Sequence, residues 1–231
     1  MKTTRQASTR IWDLPTRLFH WLFAAAVIGA IVTVKVDGSW MDWHLPFGVT
    51  ALVLLTFRVI WGFTGSRYAR FSSFVKGPRA VWHYLRHPEK HSPAGHSPLG
   101  GLSVVALLLV VAVQAGTGLF ATDDILTSGP LNQFVSSDTA ALLTSIHKWN
   151  ENILFGLIGL HLLAIAIYAL RGKQLVPAMI TGDVPLENLP SNTVPAHDTV
   201  GLKIWALALI VVLGWMGWKL VNFAKLAPMG F

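Results

Sequence analysis

Five long apolar runs, each almost free of charged side chains, decide what this 231-residue chain can fold into. They lie at approximately 17–36, 45–64, 99–121, 145–170 and 202–222. Each is close to the roughly 20 residues that an α-helix needs to cross a bilayer. Lipid offers no hydrogen-bond partner to a bare backbone, so a spanning run must be helical. The sequence therefore predicts an all-α integral membrane protein, with a four-helix transmembrane bundle and a fifth, C-terminal transmembrane helix.

The net charge of +7 indicates a membrane topology rather than a nucleic-acid-binding surface. With the N-terminus in the cytoplasm, thirteen Lys and Arg residues fall on the inner side and four on the outer side, as the positive-inside rule requires. The C-terminus is then outside. The first run exceeds the apolar stretch of a signal peptide, roughly 7–15 residues, so it is taken as a span. The outer cations are Lys35, Lys148, Lys219 and Lys225.

The polar segments between the runs predict the remaining organisation. Within the inner segment 66–98, "PRAVWHYLRH" is typical of a short interfacial helix, and 122–144 is the longest outer loop. The segment 181–198 contains three prolines and is expected to be an extended inner linker. These features predict two domains, residues 1–182 and residues 183–231.

Four of the nine histidines occupy or adjoin apolar runs: His20, His44, His147 and His161. His147 and His161 are 14 residues apart on one run, so they share a helical face and lie about 21 Å apart along the axis. His20 lies near the inner end of its run, at the depth expected for His161. His44 begins its run at the outer end, as His147 does. Depth therefore predicts two pairs, His20 with His161 and His44 with His147.

Two facing histidines are a common axial ligand pair for haem iron. Zinc normally takes four ligands, and we expect no carboxylate in register with either pair. The chain has no cysteine, which excludes disulfides, thiolate metal sites and covalent attachment of haem c. A single histidine that bonds a neighbouring helix is the alternative, but four at two matched depths favour two non-covalent haems.

Small residues are expected beside the porphyrin ring of each haem, since they allow this flat cofactor to approach the backbone. The candidates are Ala24, Gly48, Gly116 and Gly118. Five further histidines lie in the inner segments and are expected to be solvated rather than metal-binding: His83, His87, His91, His96 and His197.

Arg58 is a charged residue within the second run, 14 positions after His44. It lies at the depth predicted for the inner haem, where a guanidinium can pair with a propionate. The alternative is that its side chain snorkels to the inner headgroups.

Together these features resemble the bacterial cytochrome b561 family, which includes the b-type membrane subunit of nickel–iron hydrogenases. The resemblance covers about 11–182 and rests on "WDLPTRLFHW", "HLPFGVTALVLLTFRVIWGF", "HSPLGGLSVVALLL" and "IHKWNENILFGLIGLHLL". It implies two haems b with bis-histidine ligation, which would fall on His20, His44, His147 and His161. It also implies a multi-pass protein of the bacterial inner membrane.

We find no catalytic dyad or flavin motif, so the predicted function is electron transfer. The leading hypothesis links the membrane quinone pool to a periplasmic cytochrome c or oxidoreductase subunit. Acidic residues of the outer loops would complement a basic cytochrome c, or are simply solvated: Asp37, Asp42, Asp123, Asp124 and Asp138. The alternatives are a hydrogenase anchor, a superoxide:quinone oxidoreductase with a cationic route at Lys148, and a haem-free transporter or structural bundle.

Overall fold

The computed structural model describes residues 7–36, 39–87, 94–123 and 127–226. Within them, five helices are long and apolar enough to cross a membrane, so the predicted fold class is confirmed. In chain order the helices are α1 (Leu14–Lys35), α2 (His44–Thr64), α3 (Phe71–Phe74), α4 (Pro78–Arg86), α5 (Pro98–Gly118), α6 (Ser137–Leu170), α7 (Leu175–Thr181) and α8 (Val200–Leu226). The five candidate membrane-spanning helices are α1, α2, α5, α6 and α8.

Helix α6 begins eight residues before the predicted span, which shortens the predicted outer loop. The Oγ of Ser136 accepts a hydrogen bond from the Thr139 N–H, and Asp138 lies in the first turn. A hydroxyl cap and an acidic first turn both stabilise a helix N-terminus. The apolar run alone therefore underestimates the length of this helix.

The predicted extended linker 181–198 is wrong in part, because it contains regular structure. Strand β1 (Ser8–Arg10) pairs antiparallel with β2 (Asp183–Pro185), with Arg10 opposite Asp183. The Arg10 guanidinium donates to both carboxylate oxygens of Asp183, at 2.6 and 3.2 Å. This bond raises the pKa of Arg10 above its ordinary value. A two-stranded ribbon thus joins the N-terminal segment to the linker.

The chain divides into two compact units. The first comprises Met1–Leu18, Arg58–Ala106 and Gly159–Ala206, and the second comprises Phe19–Phe57, Leu107–Ile158 and Leu207–Phe231. The first unit contains the ribbon and a small core centred on Ile11, Trp12 and Ala178.

Helix α4 forms where the amphipathic segment predicts it, while its position at a membrane surface stays a prediction. Its Tyr84 is buried and its hydroxyl lies 2.9 Å from that of Tyr168. Among the histidines expected to be solvated, His83 and His197 are exposed.

The prediction for His96 is wrong, because its ring packs against Trp12 and Phe74 at centroid distances of 4.8 and 4.5 Å. His87 is half-buried. His91 lies outside the described residues.

Candidate haem site

The second unit brings His44 and His147 together. Their ring centroids are 6.2 Å apart and their planes are nearly perpendicular, at 87°. Both side chains line a cavity of about 240 Å³ whose walls are mostly apolar; we call it the His44–His147 cavity. His44 is the first residue of α2, whereas His147 lies ten residues into α6.

Hydrogen bonds fix the tautomer of both rings. Nδ1 of His44 lies 2.8 Å from the carbonyl oxygen of Ala30, and Nδ1 of His147 lies 2.9 Å from that of Gln114. A carbonyl only accepts, so each Nδ1 carries the proton and each Nε2 presents a lone pair. Metal-ligating histidines are commonly oriented in this way, by a backbone carbonyl at the other nitrogen.

Two amide side chains, Asn150 and Gln114, form a hydrogen-bonded chain that reaches His147, and neither was predicted from the sequence. Asn150 donates to the Val110 carbonyl at 3.0 Å and to Oε1 of Gln114 at 2.7 Å. The Nε2 amide of Gln114 lies 3.1 Å from Nε2 of His147 and donates to its lone pair, so it would have to turn away for His147 to bind a metal. Polar side chains inside apolar runs were the available signal, since such residues bond across helices.

Glycine gives the His147 ring room against α5. A Cβ at Gly118 would lie 3.0 Å from Cε1 and 3.2 Å from Nδ1 of His147. A Cβ at Gly48 would meet nothing within 4 Å, and Gly48 lines the cavity. Gly116, which was also expected beside a haem, is absent from the described lining of this cavity, and the expectation for Ala24, beside His20, stays a prediction.

The expectation that no carboxylate accompanies either pair is wrong for Glu151. It lines the cavity one helical turn after His147, and its Oε1 lies 2.7 Å from Nζ of Lys35. Across the described residues, no three His, Cys, Asp or Glu side chains are arranged to hold a metal ion. A zinc site needs at least three protein ligands. The two histidines, His44 and His147, therefore fit a metal centre that needs only two ligands from the protein.

The pair fits haem iron. Two neutral imidazoles whose ring centroids are 6.2 Å apart could both bind one haem iron. The glycine at position 48 opens the wall beside the pair. The residues that would hold a haem here are His44 and His147.

Arg58 belongs to the first unit and is buried, with 3% of its surface exposed. Its guanidinium lies over the rings of Phe71 and Phe74, 4.9 and 5.7 Å from their centroids. Asp13, which is also buried, is the carboxylate that interacts with it electrostatically. This enclosure argues against snorkelling. In the described part of the chain, Nη1 has no hydrogen-bond partner, which leaves one donor group for a ligand.

His20 and His161 are both half-buried. The His20 ring packs edge-on against Trp21, with centroids 4.9 Å apart. Because His20 lies in the second unit and His161 in the first, their pairing stays a prediction.

Comparison with known proteins supports the chemistry of these sites. The family model described as prokaryotic cytochrome b561 matches residues 11–182, most of the chain. This chain belongs to the prokaryotic cytochrome b561 family. Membership implies binding of b-type haem, in agreement with the donor set of the His44–His147 cavity.

Two curated proteins are similar to this cytochrome b561 homologue. Both are named probable Ni/Fe-hydrogenase B-type cytochrome subunit. The one from Azotobacter vinelandii is 27% identical and the one from Azotobacter chroococcum mcd 1 is 26% identical. Each alignment covers 48% of this chain and 58% of the relative, so the chain spans little more than half of those proteins. No solved structure matches.

Proposed function

We propose that this cytochrome b561 homologue binds two haems b and transfers electrons across the bacterial inner membrane, between the quinone pool and a periplasmic redox partner. The observation that carries the proposal is the His44–His147 pair, oriented by two backbone carbonyls beside an apolar cavity. We refer to the haem assigned to this pair as the outer haem, following the predicted topology.

Each side chain has a defined part in this proposal. His44 and His147 would ligate the outer haem, and His20 and His161 the inner one. The free donor of Arg58 would hold an inner-haem propionate, and its positive charge would favour the reduced form. Haem, when bound, supplies reversible one-electron transfer.

The partner is proposed to be a cytochrome c or an oxidoreductase subunit, with quinone as the second redox partner. Asp42, Asp123 and Asp138 are exposed and support a basic partner. Asp123 also accepts a hydrogen bond from the Thr127 N–H at 2.8 Å, so it shapes its own loop. Asp37 and Asp124 lie outside the described residues.

A haem count tests the ligand assignment. A pyridine haemochrome assay on the purified protein is expected to give two haems b per chain. His147→Leu and His161→Leu should each lose one haem, whereas His83→Leu, at an exposed histidine outside the spans, should keep both. A variant of either proposed ligand that retains two low-spin haems would contradict the assignment.

Two other functions have support of their own. The curated relatives favour a hydrogenase anchor. The exposed Lys148, which lines the cavity beside His147, favours a superoxide:quinone oxidoreductase with a cationic entrance.

Stopped-flow mixing of the protein with superoxide and a soluble quinone distinguishes the enzyme from a subunit role. Fast quinone reduction without a partner protein supports the enzyme. If only added cytochrome c or hydrogenase exchanges electrons with the haems, the subunit role is supported.

A further inference from the structure

Glu151 is an acidic residue inside a membrane-spanning helix, and nothing in the haem-ligand scheme requires it. Ionisable groups at such depths are costly and are usually functional. Its side chain is 25% exposed, and its Oε1 lies 2.7 Å from Nζ of Lys35, at the end of α1. At this distance the ammonium and the carboxylate form a charge-assisted ion pair.

Glu151 also shares its surroundings with the proposed haem ligand. It follows His147 by four residues on α6, a spacing that places two side chains on neighbouring positions of one helical face. Both residues line the His44–His147 cavity, and so do Asp123 and Lys148. Those two side chains are exposed, so water screens their charge. The half-buried Glu151 is therefore the charge least screened from the cavity.

We propose that the Lys35–Glu151 ion pair sets the reduction potential of the outer haem, with Glu151 lowering the potential and Lys35 limiting that effect. The inference rests on the proposed function. A haem gains one negative charge on reduction, so a nearby carboxylate disfavours the reduced form and a nearby ammonium favours it. These interactions are stronger at low dielectric than in water.

A purely structural role gives different expectations. If the pair only ties α1 to α6, loss of either partner has the same consequence, namely a loosened cavity. If the pair acts through its charge, the two losses shift the potential in opposite directions and cancel only in part when combined.

The test is a spectroelectrochemical titration of four proteins: the native chain, Glu151→Gln, Lys35→Met and the double variant. We expect Glu151→Gln to raise the midpoint potential of one haem and Lys35→Met to lower the potential of the same haem. The Glu151→Gln shift should correspond to roughly a tenfold change in the ratio of oxidised to reduced haem at fixed potential, and the Lys35→Met shift should be smaller because Lys35 is 57% exposed. The double variant should lie above the native value but below Glu151→Gln, because Lys35 is 57% exposed and Glu151 only 25% exposed, so the carboxylate has the larger effect. Glu187→Gln, at an exposed position of the other unit, is the control and should shift neither haem.

Shifts of the same sign in both single variants, or no shift in either, would overturn the proposal. The haem content and the melting temperature of each variant are measured in parallel. If a single variant loses haem, the charge swap Lys35→Glu with Glu151→Lys decides: a potential above the native value supports the charge role, because the ammonium then occupies the less exposed position, and a native-like potential refutes it. Failure of the proposed function is a separate outcome. In that case the titration of the native chain would not show two successive haem reductions.

Discussion

At the scale of single residues, the position of the His147 ring depends on the absence of a side chain at Gly118 of α5. The ring lies against the backbone of α5, where its Nδ1 donates to the Gln114 carbonyl at 2.9 Å. Any side chain at Gly118 would enter the space of that ring. A ligand must be held within about 0.5 Å of its productive position, and a methyl group at this point would displace the ring by a few tenths of an ångström, which uses up much of that tolerance.

Gly118→Ala and Gly116→Ala form a matched pair on one helix. Both should gain about 1 kcal/mol of helix propensity, but only Gly118→Ala crowds His147, since a Cβ at Gly116 meets nothing within 4 Å. We expect Gly118→Ala to lose the outer haem or to shift its potential, and Gly116→Ala to keep native spectra and potentials. The haem-to-protein ratio and a redox titration measure both. Identical behaviour of the two variants would show that the ring is not held against α5.

The sequence predicted the His44–His147 pair because depth in a bilayer follows from counting along apolar runs. It did not predict Gln114, Asn150 and Glu151. Depth gives no information on how neighbouring helices are rotated about their axes, and that rotation decides which polar side chains meet a histidine. The same limit explains why Gly118 lies against a histidine ring while Gly116, half a turn away, does not.

At the scale of elements, the long helices were predictable and the ribbon was not. Strands of three residues carry too little periodicity to stand out from a proline-containing linker. The ribbon depends on contacts that are 173 residues apart in sequence, such as Arg10 with Asp183. Such pairings are not visible in local patterns.

Gly182 ends α7 with φ +88°, and its carbonyl accepts hydrogen bonds from the N–H groups of Ile11 and Trp12. A Cβ at this position would lie 2.6 Å from the Trp12 carbonyl oxygen. We expect Gly182→Ala to destabilise the protein by about 1–3 kcal/mol, through backbone strain and this contact.

Gly172→Ala is the control, since φ is +77° there and its Cβ would meet nothing within 4 Å. It should show the strain alone and thus the smaller loss. Thermal unfolding in detergent, followed by circular dichroism, measures both variants. If Gly172→Ala proves as destabilised as Gly182→Ala, the packing of α7 against the N-terminal segment is not important for stability.

At the scale of the whole molecule, the described residues contain five helices that are long and apolar enough to cross a membrane, as predicted, while their orientation stays a prediction from charge. The division into residues 1–182 and 183–231 and the role of α8 likewise stay predictions. The uneven distribution of Lys and Arg predicts on which side of the membrane each loop lies. The contacts between the described residues do not depend on that side.

The chain has no cysteine, so single cysteines can report its orientation directly. Lys76 and Gln133 are both exposed in the structure and are predicted on the inner and outer sides, respectively. In spheroplasts, a membrane-impermeant maleimide should label Gln133→Cys at once and Lys76→Cys only after permeabilisation. The reverse pattern would mean an inverted topology.

The ribbon and its surroundings also bear on where the protein can be divided. Arg10 accepts a hydrogen bond at its carbonyl from the Ala196 N–H at 2.7 Å, and Tyr68 donates to the Val194 carbonyl at 2.7 Å. Residues 183–196 therefore complete the folding of segments that precede α1 and follow α2. A truncation that ends at residue 182, where the family match stops, would strip β1 of its partner strand. Cutting immediately before α8 instead leaves these hydrogen bonds in place.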